Sequence, residues 1–314
     1  MTPQERHVKI CNALVRTIAY FDVISYAPTW MEVSAWLEWS GAAGFEVVGP
    51  PSVEELNHAR ATLIDDAQID EQQGRIALHG RMDELLSLIA ERSVLFPRKI
   101  RHARKVVRYL SHIASIRFVA LVNTTALAHA RNEGDLDFFI IAQQGRLWST
   151  RLLTVSPYRM LGKLAHKDAK PDAVCFSYFI SDDAPDLSSH CLPDDDPYFR
   201  YWFLSLLPLF DDGVGTDFWN ANSLLRAKHP CATQWILPPD LAVSVPYLRV
   251  SVPRFAERYA KQFQERWFPE PIRSRKNLDT SVLISDDVLK FHTEDRRSMY
   301  REAYQKRLDI LECN

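Results

Sequence analysis

The carboxylates Asp135 and Asp137 are where chemistry is most directly read from this chain. They open an apolar, strand-forming run, Asp135-Leu136-Asp137-Phe138-Phe139-Ile140-Ile141. Side chains two apart on a strand project to the same side, so the pair can hold a hard divalent cation whose oxygen shell a polyphosphate completes. Such a donor set suits phosphoryl transfer. Asp194 and Asp196 repeat the spacing, but they lie in Pro193-Asp194-Asp195-Asp196-Pro197, a solvated turn by composition. The first pair has a different context. Ahead of it a β-branched strand, Phe118 to Val122, meets the helix-capping types Asn123-Thr124-Thr125, and a short helix continues through Ala126 to Ala130 before Asn132-Glu133-Gly134 breaks it.

Other chemistries find less material. The ten histidines show no His-x-x-x-His spacing, and no Gly-x-Ser-x-Gly elbow or Gly-rich phosphate loop occurs among only ten glycines. Ser188-Ser189-His190 reads as a loop. Arg146 and Arg151 flank the aspartate strand and can neutralise triphosphate charge, or serve as salt-bridge partners. Lys290, His292, Asp295, Arg296 and Arg297 read first as a helix N-terminus capped by Thr293 with a solvated face, and second as a cluster facing the cleft. Trp148 and the aromatic run Tyr198 to Phe210 are expected in the core, with nucleobase stacking as the alternative.

Positioning these residues requires the flanking elements. Val8 to Tyr20 carries helical periodicity, Thr29/Glu32 forms a capping box opening a helix over Trp30 to Trp39, and Ser52/Glu55 opens a third helix from Val53. Gln68 to Glu71 and Arg75 to His79 flank the turn Gln72-Gln73-Gly74 as a hairpin. Three helices and a hairpin suggest a winged-helix-like module over residues 1–95. Its third helix carries Glu54 and Glu55, which face phosphates unfavourably, so packing or partner docking is preferred to DNA binding. From Phe96 to Arg117 there are seven Lys/Arg and no acidic residue, either the wet face of a helix with Val106, Val107, Leu110 and Ile113 beneath, or a surface for a polyanion. Residues 96–190 form the expected catalytic domain, with Ala173 to Ile180 as a further strand, and 191–314 a mainly helical C-terminal domain.

The fold class is therefore α+β. At 314 residues the chain allows two or three domains, at about 150 residues each. Against 40 Asp+Glu, 38 Lys+Arg leave a net charge of -2, which excludes coating nucleic acid through global charge. The N-terminal residues show no secretory signal and no apolar run is long enough to span a membrane. Five scattered cysteines (Cys11, Cys175, Cys191, Cys231, Cys313) fit reduced thiols, so a cytoplasmic protein is expected.

The segment Val119-Ala120-Leu121-Val122-Asn123-Thr124-Thr125-Ala126 through Asp135-Leu136-Asp137 resembles the DNA polymerase beta-like nucleotidyltransferase superfamily. In that superfamily a strand ends in Gly-Ser, a short helix follows, and Asp-x-Asp comes after it, with a third carboxylate from a neighbouring strand. The chain looks more specifically like bacterial nucleotidyltransferase-domain proteins with an N-terminal winged-helix-like module. That likeness extends to Tyr20-Phe21-Asp22-Val23, Gly145 to Leu153, Leu289-Lys290-Phe291-His292 and Asp295-Arg296-Arg297. It implies a nucleotidyltransferase-type mixed sheet, Mg²⁺ or Mn²⁺ at Asp135 and Asp137, and phosphate contacts at Asn123 and Thr124, with Thr125 and Arg151 as further nucleotide contacts. The implied reaction moves a nucleoside monophosphate from an NTP to an acceptor hydroxyl on a small molecule, protein or RNA. Asn123 replaces a glycine, so its side chain has to point away from phosphate or move. Ser177 stands near the expected third carboxylate, with Asp172, Asp182 and Asp183 only flanking. A catalytically degenerate protein binding nucleotide or a macromolecule is the alternative.

Overall fold

The computed structural model describes residues 1–39, 49–166 and 170–312; Cys313 lies outside them. Three helices open the chain: α1 (Pro3–Val23), α2 (Trp30–Ala35) and α3 (Val53–Asp65). Each starts at a capping box, Thr2/Glu5, Thr29/Glu32 and Ser52/Glu55, in which the N-cap hydroxyl accepts from the third backbone N–H and the glutamate accepts in return. One such cap contributes about 1 kcal/mol. Helix α2 stops four residues short of Trp39, whose backbone N–H donates instead to the Lys228 carbonyl. Strands β1 (Ile69–Gln72) and β2 (Arg75–Leu78) pair antiparallel about Gln73 and Gly74, both at positive φ, as a tight hairpin turn of matching twist requires.

Two helices lead into the sheet, α4 (Met82–Ser93) and the basic α5 (Phe96–Ser111). Val106, Val107 and Leu110 of α5 are buried, while Arg101, Lys105 and Arg108 are exposed. Lys99 departs from the wet-face expectation: it is buried and pairs with Asp172 at 2.7 Å.

A mixed sheet of six strands follows, in the order β6-β3-β4-β5-β8-β7. Its members are β3 (Ile116–Leu121), β4 (Leu136–Ala142), β5 (Val174–Ser181), β6 (Leu207–Asp211), β7 (Val282–Ile284) and β8 (Val288–Phe291). Strands β4 and β5 run parallel and the other neighbours antiparallel. Between strands lie α6 (Asn123–Ala126), α7 (Leu147–Met160), α8 (Pro197–Leu204), α9 (Gly215–Ala221), α10 (Ser223–Arg226), α11 (Phe255–Trp267) and α12 (Glu270–Arg273), and α13 (Arg297–Glu312) ends the described chain. This corrects the expected division at residue 190. Three of the six strands come from beyond it, so the C-terminal part completes the sheet and is not a separate helical unit. Leu207-Pro208-Leu209-Phe210 falls within the aromatic run Tyr198 to Phe210, and a short buried apolar run has no period to tell strand from helix.

The two sheet faces are covered differently. Phe118, Phe139, Ile141 and Tyr178 pack with Phe199, Trp202 and Phe203 of α8 and with residues of α1 and α13. Val119, Phe138, Ile140 and Phe179 pack with α5, with Leu147 and Trp148 of α7, and with Ala260 of α11. The first core runs on into α3 and the hairpin, so residues 1–95 share it with the sheet. Tyr20 stacks on Tyr201 at 4.0 Å, and the buried Glu38 accepts from Tyr304 of α13. Among the described residues no helix is long and apolar enough to cross a membrane.

Candidate functional site

Strand parity places Asp137 on the face that carries Phe139 and Ile141, under α8, and Asp135 two residues earlier shares it. Both carboxylates are partly buried. Burial first, then the neighbouring Asp137 charge, pushes the Asp135 carboxyl above its ordinary range. That like-charge repulsion is what a divalent cation relieves.

Asn123 starts α6 at φ 59°, the left-handed region where a glycine is usual and Asn is tolerated. Its side chain neither points away nor stands free. The amide Nδ2 donates to Asp137 Oδ2 at 3.0 Å, and Oδ1 accepts from the Tyr198 hydroxyl at 2.9 Å. The relay Tyr198, Asn123, Asp137 therefore ties α8 to the carboxylates. Helix α6 is a single turn, not the longer helix expected through Ala130: Ala128 has φ 53° and the His129 N–H bonds back to the Thr124 carbonyl. Val122, not an Asn or Thr, is its N-cap, without a side-chain bond. Thr124 is exposed, whereas Thr125 is buried and bonds the Asp135 carbonyl at 3.4 Å, so it shapes the turn and presents no hydroxyl.

Two cavities meet at Asn123, Asp137, Tyr198 and Arg296. The smaller, about 340 Å³, lies on the α6 side and is lined by Thr124, Arg92, Arg131 and the rings of Tyr20 and Tyr201. Arg92 is buried with Nη1 2.6 Å from His129 Nε2, which is itself 2.8 Å from the Ser25 carbonyl. One ring nitrogen cannot accept from the guanidinium and donate to the carbonyl, and His129 Nδ1 has no partner among the described residues. Burial, then the Arg92 charge, holds His129 down to about 4. The cavity wall is thus a guanidinium over a neutral imidazole, with Arg131 and Arg296 nearby.

The larger cavity, about 850 Å³, lies on the β5 and β8 side and reaches Asp135, Cys175, Ser177, Lys290 and His292. Cys175 is the register partner of Asp137, and an irregularity in the β4–β5 pairing inserts one extra residue on β5 before Tyr178. The place beside Asp137 is therefore held by Cys175 with Ser177 following, and neither is a carboxylate. Burial, then the Asp137 charge, pushes the Cys175 thiol well above its usual range and keeps it neutral. Ser177 Oγ is 3.2 Å from His292 Nε2, and burial with the Lys290 charge holds that imidazole down to about 3. The flanking aspartates are engaged elsewhere: Asp172 with Lys99 and Arg98, Asp182 with Arg117 and the Gln144 N–H, Asp183 with Ser181.

The C-terminal cluster takes its second reading. Lys290 and Arg297 are buried, and Lys290, His292, Asp295, Arg296 and Arg297 all line the larger cavity. Asp295, not Thr293, accepts from the Arg297 N–H. Arg297 also bonds Asp196, whose carboxylate caps α8, so the second Asp-x-Asp has one buried structural member and is no solvated turn.

Arg151 and Arg146 are not brought to the site. Arg151 sits on α7 against the opposite sheet face, partly buried, with Nη1 on Gln264 Oε1 and its guanidinium over Phe268 and Phe291. Arg146 bonds the Val252 carbonyl. Trp148 is core, as expected. Arg92, His129, Arg131 and Tyr198 were missed. Arg131, four residues before Asp135, had a local signal, whereas Arg92 meets His129 only through the fold.

Among the described residues no group of three or more His, Cys, Asp or Glu is placed to hold a metal ion. Two carboxylates do fit a partial shell, since Mg²⁺ is commonly held by one or two carboxylates together with substrate phosphates. Comparison with models of known protein families, with curated proteins and with solved structures returns no match to this chain.

Proposed function

We propose that the chain is a polymerase beta-like nucleotidyltransferase that transfers a nucleoside monophosphate from an NTP to an acceptor hydroxyl. One observation carries this reading: Asp137 stands at the junction of two cavities, one of them cationic and bounded by the start of α6, and Asp135 shares its sheet face and lines the larger cavity. Asp135 and Asp137 would hold Mg²⁺, which supplies charge neutralisation at the reacting phosphate. Thr124 and Arg92, Arg131 and Arg296 offer donors to the triphosphate from the smaller cavity, whose aromatic wall suits a base. The acceptor oxygen forms a bond to the α-phosphorus, the bond from that phosphorus to the bridging oxygen of the β-phosphate breaks, and pyrophosphate leaves with the electron pair. The hydroxyl proton passes to solvent, because neutral Cys175 and Ser177 stand where a carboxylate base would. Lacking that base costs about 10²- to 10⁴-fold, so turnover is slow.

The same substitution at Cys175 and Ser177 favours a second reading, a nucleotide-binding protein without turnover. Pyrophosphate release from each NTP with Mg²⁺ or Mn²⁺ separates them. Release by the wild type that is lost in Asp135→Asn supports transfer, and metal-dependent NTP binding without release under any acceptor supports the binding protein.

A further inference from the structure

Lys290 lies on β8, in register with Tyr178 of β5, and is 0% exposed. Its amine has no hydrogen-bond partner among the described residues. It rests over the rings of Tyr178 and Phe199, at 5.4 and 5.1 Å, and lines the larger cavity. The charged and titratable groups around it are already committed or neutral. Asp196 and Asp295 are bonded to Arg297, which repels the amine. His292 and His190 are held neutral by burial, bonded to Ser177 and Tyr178, and the Cys191 thiol is pushed up to about 11. Burial, then Arg297, brings Lys290 down to about 7. A buried donor without an acceptor is unfavourable, and an oxyanion entering the cavity removes that penalty.

Sheet order says which substrate brings it. Asn123 follows β3, Asp137 is on β4, Cys175 and Ser177 are on β5, and Lys290 is on β8, so Lys290 and the α6 turn lie on opposite sides of Asp137. We propose that the larger cavity receives the acceptor and that the acceptor carries an oxyanion, phosphate or carboxylate, which Lys290 binds. The word acceptor rests on the nucleotidyl-transfer reading; the oxyanion site does not.

The test titrates metal-free full-length protein at pH 8 with sulfate and, separately, acetate, neither of which changes protonation there, and measures affinity and proton uptake. Wild type takes up about one proton per bound anion, since a mostly neutral Lys290 becomes charged. At pH 6 the uptake disappears, because the amine is already protonated. Lys290→Met removes the uptake and weakens binding at least tenfold. Lys290→Arg binds without uptake, as guanidinium does not titrate, and it keeps the test open should the Met variant not fold. Sulfate preference indicates a phosphate-bearing acceptor and acetate preference a carboxylate. Binding and uptake unchanged in Lys290→Met, or no uptake in wild type with either anion, overturns the proposal. If Lys290-dependent binding is found but no NTP yields pyrophosphate, nucleotidyl transfer fails while the oxyanion site stands.

Discussion

The two faces of the central sheet meet buried charge in opposite ways. Under α7, Arg151 is bonded to Gln264 and covered by Phe268 and Phe291, and the Trp148 and Ser149 N–H groups at the start of α7 donate to Glu257 at 2.6 and 3.0 Å. Trp148 Nε1 donates to Asp286. That helix N-terminus, an obvious place for an anion, already has its carboxylate. Under α8 the pattern reverses. Lys290 has no acceptor, Arg92 faces a neutral imidazole, and Asp135 and Asp137 repel each other. Under α7 the Arg151 Nη1 and the helix N-terminus take partners from the protein, although Arg151 Nε and Thr154 Oγ1 have none among the described residues; under α8 the unpartnered Lys290 amine and the carboxylate pair are complementary to something charged that arrives from outside.

Asp135→Asn and Asp137→Asn are each expected to lower pyrophosphate release about 10²- to 10⁴-fold, from several kcal/mol of lost charge stabilisation, with the far-ultraviolet circular dichroism unchanged. Retention of release in both would mean that the charged face does no transfer chemistry.

Next comes the pH dependence of stability. Lys290 has a folded value of about 7, below its unfolded value, so between the two the unfolded chain holds more protons and stability rises with pH. Between pH 7 and 8.5 the gain from this group is about 2 kcal/mol. Urea titrations at both pH values should show it in wild type and lose it in Lys290→Met, a difference that cancels other titrating groups.

Asn123→Gly restores the residue that suits φ 59° but removes the bond to Asp137; the opposing terms should leave stability within about 1 kcal/mol of wild type, read by thermal unfolding. Arg151→Met, under α7, should leave NTP affinity within about twofold while shifting the melting temperature; a tenfold loss of affinity would put Arg151 at the site after all.

What was legible in the sequence was local. Thr29/Glu32 and Ser52/Glu55 announced helix starts because a capping box spans one turn, and Gln73-Gly74 announced the hairpin for the same reason. Asp135 and Asp137 were legible because a strand has period two. The sidedness of Arg151 was not, since it depends on which sheet face α7 covers. Nor was the choice of Cys175 beside Asp137, which an irregularity in pairing decides. Strands β6, β7 and β8 join the sheet through contacts far apart in the chain, such as Lys290 with Tyr178, and no short pattern reports those. Lys290 itself sat in a segment rich in charge, which reads as solvated until its burial is seen.

The most direct test of the central claim is calorimetric binding of an NTP to wild type and Asp137→Asn, with and without Mg²⁺. Metal-dependent binding in wild type that falls at least tenfold in the variant is the expected result. Equal binding by both proteins, or none by wild type with any of the four NTPs, would contradict it.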